Sequence, residues 1–255
     1  MPRRKKGQTA AAPAAAEEVP AASEAAAEAA GDGGASARYP QVARLTGHAK
    51  KRILVLCSRG VTSAFITLME DLLKLLPHAR KDPKFDKREA LSTINEIASL
   101  SGCHYALYFE ARKMRDLYLW ASSTAAGGPS VKFLVQQLRP MSDPRLTGNC
   151  LLGSRPILSF GAAFSSAPHL RLLRQLLTDI FAVPRGHRRS KPFHDHVVQF
   201  ALCDGRVVVR HYQVVPPLND VAGASETLVE IGPRFALVPI RVLDGSFSGK
   251  TIYAN

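Results

Sequence analysis

"KRILVLCSRGVTSAFITLMEDLLKLLPHARKDPKFD" occupies residues 51–86, and its reading decides the fold. The run "KRILVLCS" (51–58) has no polar alternation, so it reads as a strand buried on both faces that ends at Gly60. Thr62 or Ser63 then caps a helix over 63–76. In it Phe65, Leu68, Met69, Leu72, Leu73 and Leu76 recur at spacings of three and four, giving one buried stripe. Pro77 stops the helix, and a basic loop follows.

The same order returns a hundred residues later. "PILSF" (156–160) is a strand, Ser165 and Ser166 form a cap region, and "HLRLLRQLLTDIF" (169–181) is a Leu-rich helix that ends before Pro184. "LPHARKDPKFD" (76–86) then matches "VPRGHRRSKPFHD" (183–195): proline, cations, a second proline, phenylalanine. Between the two units a helix is expected from Asp86 as cap, through Leu91, Ile94, Ile97 and Ala98, to Gly102, with strands over 103–109, 116–122 and 131–137. Two hairpins are expected to close the chain, over 193–214 and over 227–243, with Asp244-Gly245 behind the second. The predicted fold is therefore α/β, built of two pseudo-duplicated halves at about 46–150 and 151–255, with antiparallel hairpins in the C-terminal half. Residues 1–45 form an Ala-rich tail with little apolar surface to bury, and disorder is expected there.

Composition narrows the function. Lys and Arg number 34 against 21 Asp and Glu, a net charge of +13. Residues 1–50 hold seven basic and five acidic residues, so the part expected to fold keeps a surplus of eleven, which favours polyanionic partners. No apolar stretch approaches membrane-spanning length, which predicts a soluble chain. The opening "MPRRKKGQTA" has no apolar segment behind it; it is not read as a secretory signal, and a nuclear-import cluster is the other reading. Cys57, Cys103, Cys150 and Cys203 are widely spaced, as expected of reduced thiols in an intracellular protein.

The motifs that invite chemistry are weak. "DGSFSGKT" (244–251) has three residues between Gly245 and Gly249 where a phosphate-binding Walker loop needs four, and no helix follows. "CSRGVTS" (57–63) places a thiol between strand and helix, but lacks the second arginine that phosphatase chemistry requires, so Cys57 reads as core. His194 and His196 share a strand face, yet neither Cys203 nor His211 is obviously placed as a third ligand; they read as sheet histidines, with no metal. No nucleophile–base pair or paired carboxylates stand out, so neither catalysis nor a cofactor is expected.

What remains is the pair of basic loops. Either alone reads as a solvated charge run. Their recurrence on proline-stiffened turns after equivalent helices favours phosphate contact, because guanidinium groups fork onto phosphate oxygens. The expected site is Arg185, Arg188, Arg189 and Lys191, with Arg80, Lys81 and Lys84 as the first-half counterpart and Arg59 and Arg155 flanking.

Seven stretches carry a resemblance: "LPHARKDPKFD", "YFEARKMRDLYLW" (108–120), "LTGNCLLGSRPILSF" (146–160), "PHLRLLRQLLTDIF" (168–181), "VPRGHRRSKPFHDHV" (183–197), "LVEIGPRF" (228–235) and "DGSFSGKTIY" (244–253). Together, over about residues 50–255 and in order, they resemble the Brix-domain family of ribosome assembly factors. "GNCLLGSRPILSF" and "FEARK" are similar to its large-subunit branch. The resemblance implies a Brix domain whose two halves are each similar to the anticodon-binding domain of class II aminoacyl-tRNA synthetases. It also implies a nucleolar factor that binds large-subunit precursor rRNA within the pre-60S particle, beside a helical factor of the EBNA-binding-protein family and ribosomal proteins. The Ala-rich tail is not part of the match, and the family usually continues past the point matched by "TIYAN" into a basic extension.

Overall fold

The computed structural model describes residues 51–82, 85–86, 88–125, 127–184, 186–217 and 226–255. The Ala-rich tail, Lys84 and Arg185 lie outside them. β1 (Ile53–Cys57) leads through α1 (Ser63–Leu75) to β2 (Ala79–Lys81), α2 (Thr93–Leu100), and the meander β3 (Tyr105–Arg112), β4 (Asp116–Ser123) and β5 (Ser130–Arg139). The second half runs β6 (Ile157–Phe160), a 3-10 turn over Ala162–Ser165, α3 (Pro168–Phe181), β7 (His196–Cys203), β8 (Arg206–Val215), β9 (Thr227–Glu230), β10 (Arg234–Leu243) and β11 (Thr251–Ala254).

All strands join one mixed sheet in the order β2-β1-β3-β4-β5-β10-β8-β7-β6, with β9 on β8 and β11 on β10. β1 is parallel to β2 across α1 and to β3 beyond α2, and β6 is parallel to β7 across α3. The pairings between them are antiparallel. Strand relationships thus read alike outward from the β5–β10 seam. Descent of the two halves from one duplicated unit is a proposal that this order motivates.

Burial explains the apolar runs. Ile53, Val55 and Cys57 of β1 face a large core holding Leu68, Met69 and Leu72 of α1 and Leu173, Leu176 and Leu177 of α3. Leu54 and Leu56 face a smaller core with Ile94 and Ala98 of α2, Tyr108, Trp120 and Phe247. A strand covered on both faces has no polar side to show. Six buried side chains of α3 (Leu170, Leu173, Leu176, Leu177, Ile180, Phe181) each contribute about 1.5–3 kcal/mol of transfer free energy to this packing.

Three expectations are corrected. The helix expected from Asp86 begins at Thr93, because Phe85 is held in a bridge to Ser58 and the Asp86 carboxylate accepts the Arg88 N–H, which turns the chain first. The hairpin expected over 227–243 does not form: β9 and β10 both run antiparallel to β8, one after the other. Gly232, with φ +86°, and Pro233, which lacks a ladder donor, interrupt that line. The hairpin lies one step later, where β10 pairs with β11 across the loop after Asp244. β2 was not expected, since "ARK" shows no strand pattern; it forms by parallel pairing with β1.

Candidate nucleic-acid interface

α1 and α3 lie on the same face of the sheet, and both end at a proline-led loop. α3 reaches the first half: Lys51 Nζ lies 2.8 Å from Asp179 Oδ1, and His78 donates through Nε2 to the Ile180 carbonyl at 3.1 Å. That hydrogen bond draws the loop after α1 against the end of α3. Cations beside the last carbonyls of a helix are also favoured by its dipole.

The result is a cleft of about 660 Å³ lined by Arg52, Pro77, His78, Ala79, Arg80, Lys81, His187, Arg188 and Arg189. Five of these are cations and, among the described lining residues, none is acidic. Arg52, Arg80, Lys81, Arg188 and Arg189 are exposed at its wall. Burial first, then Arg52, Arg189 and Arg188, hold His187 below its ordinary pKa. Burial pushes His78 down to about 4 despite its hydrogen bond to Ile180. Both rings are therefore neutral at pH 7, and the charge of the cleft comes from its Arg and Lys. Lys81 is partly offset by Glu70, 3.7 Å away.

The structure thus brings Arg80 and Lys81 of the first loop together with Arg188 and Arg189 of the second. Lys191, Arg155 and Arg59 are not among the described lining residues. The Lys191 backbone N–H donates to the Gly153 carbonyl, holding the second loop to the segment before β6. Arg155 braces the same loop, donating its backbone N–H to Phe193 O and its guanidinium to Pro192 O. Arg59 is exposed and lies 3.4 Å from Asp86. Arg52, His78 and His187 were missed. The two histidines follow the prolines of the two aligned loops, a signal that was present but not used.

The other motifs resolve structurally. Cys57 lies in the core of β1. "DGSFSGKT" is a docking loop: Phe247 packs beside Trp120 with centroids 5.9 Å apart, Ser246 Oγ donates to Asn95 Oδ1 at 2.6 Å, and the Phe247 N–H donates to Ser130 Oγ. His194 lies ahead of β7 and is exposed, so it does not share a strand face with His196; the ring that meets His196 is His211. No helix among the described residues is long and apolar enough to cross a membrane.

Comparison with known proteins adds three findings. A family model described as Brix domain matches residues 58–241. The chain is 44% identical over 216 residues to the "Ribosome biogenesis protein BRX1 homolog" of Xenopus laevis, covering 85% of this chain and 61% of that one. It is 46% identical over 211 residues to "Ribosome biogenesis protein BRX1" of Saccharomyces cerevisiae, covering 81% and 72%. The chain therefore spans about three fifths of the length of the frog relative. Among solved structures it is similar to a probable ribosomal biogenesis protein from Aeropyrum pernix, at 14% identity and a TM-score of 0.49, covering 74% of this chain and 96% of that one.

Proposed function

Because the chain belongs to the Brix domain family, we propose that it is a non-catalytic ribosome assembly factor that grips precursor ribosomal RNA by its phosphates in the cleft between the two basic loops. The observation that carries this reading is the convergence of five cations from both halves on one concave surface without an acid among the described lining residues. Such a surface recognises a folded polyanion by charge and shape, without reading base edges. The names of the relatives support ribosome biogenesis. The similarity of "GNCLLGSRPILSF" to the large-subunit branch supports assembly of the large subunit in the nucleolus, with a helical factor of the EBNA-binding-protein family and ribosomal proteins as neighbours. No step of this role turns over a substrate or needs a cofactor.

A second reading, a protein-interaction module that docks on pre-ribosomal particles mainly through a partner helix, is favoured by one feature. Leu152 and Phe193, 65% and 60% exposed, sit on two loops that are hydrogen-bonded to each other through Arg155. Ultraviolet crosslinking of the tagged protein in cells, with sequencing of the attached RNA, separates the two. Reads concentrated in large-subunit precursor RNA, and lost when Arg80, Lys81, Arg188 and Arg189 are replaced by Ala, are the expected result. Co-purification with particles without such reads would sink the RNA reading in favour of the protein-docked one.

A further inference from the structure

His196 on β7 and His211 on β8 point to the helix-covered face and are 2% and 1% exposed. Their ring centroids are 4.8 Å apart. One donor atom from each ring and the Cys150 Sγ all lie within 4.8 Å of one another. Both tautomers are set from outside this cluster. His196 Nδ1 lies 2.6 Å from Asp195 Oδ1 and 3.0 Å from Ser154 Oγ, whose hydrogen goes to the Leu151 carbonyl, and His211 Nδ1 lies 2.7 Å from the Gly232 carbonyl oxygen. Carboxylate and carbonyl only accept, so each Nδ1 carries the hydrogen and each Nε2 is a bare lone pair. Both Nε2 atoms are buried with no hydrogen-bond partner.

Two lone pairs cannot satisfy each other, and each buried unsatisfied polar group costs about 1–3 kcal/mol. The void against the two rings is about 10 Å³ and otherwise walled by apolar side chains such as Leu72, Phe181 and Phe235. That is the lower limit for a single water. A cation would satisfy both nitrogens and would recruit the neighbouring thiol.

We propose that Cys150, His196 and His211 form a zinc site that staples the loop before β6 to the sheet. Zinc is borderline-soft and takes sulfur and imidazole nitrogen together, and three protein donors leave a fourth position for water. Asp195 and the Gly232 carbonyl, on the far nitrogens, are the outer partners that orient metal-binding imidazoles and raise their basicity. Zinc at about 2.0–2.3 Å from each donor sets the three well inside that 4.8 Å limit. That closure falls to Cys150, the only one of the three on a loop. On binding, the Cys150 thiol releases its proton to solvent, and the S–H bond is replaced by S–Zn.

The full chain, stripped with a chelator and titrated with Co2+, tests this. Expected are one equivalent bound, a thiolate-to-cobalt charge-transfer band, and displacement of cobalt by Zn2+. Cys150→Ser removes the band and Cys203→Ser keeps it. His211→Asn weakens binding roughly tenfold or more, and Asp195→Asn weakens it roughly 10- to 100-fold with the band retained. Far-UV circular dichroism checks that each variant is folded; should Cys150→Ser fail that check, His211→Asn decides. Absence of the band in the wild-type chain, or a band that survives Cys150→Ser, overturns the site and leaves a water or bare packing between the rings.

Discussion

Gly153 has φ +85°, and a Cβ there would stand 2.7 Å from the Arg189 carbonyl oxygen. The missing side chain is what lets the loop before β6 approach the cation-bearing loop. Gly153→Ala is therefore expected to cost about 1–3 kcal/mol, read as a lower Tm, from backbone strain alone and more if Arg189 is displaced. An unchanged Tm would show that the two loops separate freely. His78 makes a pH-dependent prediction. Its pKa is about 4 in the folded chain against 6.5 when unperturbed, so between those values the unfolded state binds a proton that the folded state does not. Stability then rises with pH across this window and is lost as pH falls from about 6.5 toward 4, by on the order of 3 kcal/mol from this group. Denaturant melts of wild type and His78→Gln at several pH values test it, since glutamine can still donate to Ile180. Parallel stability profiles for the two proteins would remove His78 as the cause.

At the scale of elements, the loop between β10 and β11 fastens the second half's last hairpin beneath the first half's sheet. Phe247 is buried against Trp120 in the smaller core, beside Ile94 and Ala98 of α2. Phe247→Ala leaves a cavity and is expected to destabilise by about 3–5 kcal/mol, measured as a shift in the denaturation midpoint with unchanged slope. A shift under about 1 kcal/mol would mean that the loop contributes little to the fold. The motif's likeness to a nucleotide loop was local; its chemistry is that of packing and a serine–asparagine network.

At the scale of the molecule, the cleft belongs to neither half. Arg80 and Lys81 come from one unit, Arg188 and Arg189 from the other, and the sheet with α3 holds them together. Each phosphate contact adds about 0.7–0.9 to the dependence of log affinity on log salt. Replacing either pair by Ala should flatten that slope by up to about two, and replacing both by roughly three to four. Binding of precursor RNA over a salt series checks this. A folded quadruple variant with the wild-type slope would exclude the cleft, whereas a change confined to one pair would assign the RNA to one half.

The chain by itself determined most of its elements, though not β2, which forms only by pairing with β1, nor the partner of the run 227–230, which is β8. Strand β1 between two cores, the apolar stripes of α1 and α3 and the turn at Asp204-Gly205 follow from local periodicity and backbone preference, which act over a few residues. Likewise, the recurrence of proline, histidine and cations after both helices could be seen in order. What only the tertiary structure decided is which of those residues meet. His78 on Ile180, Arg80 and Arg188 in one cleft, and Phe247 on Trp120 are joined across dozens of residues by the pairing of β5 with β10 and the placing of α3, while the pairing of β7 with β8 sets His196 beside His211, where Cys150 joins them. Such contacts leave no periodic trace in the sequence, because they depend on where whole elements pack and not on the order of side chains within any one of them.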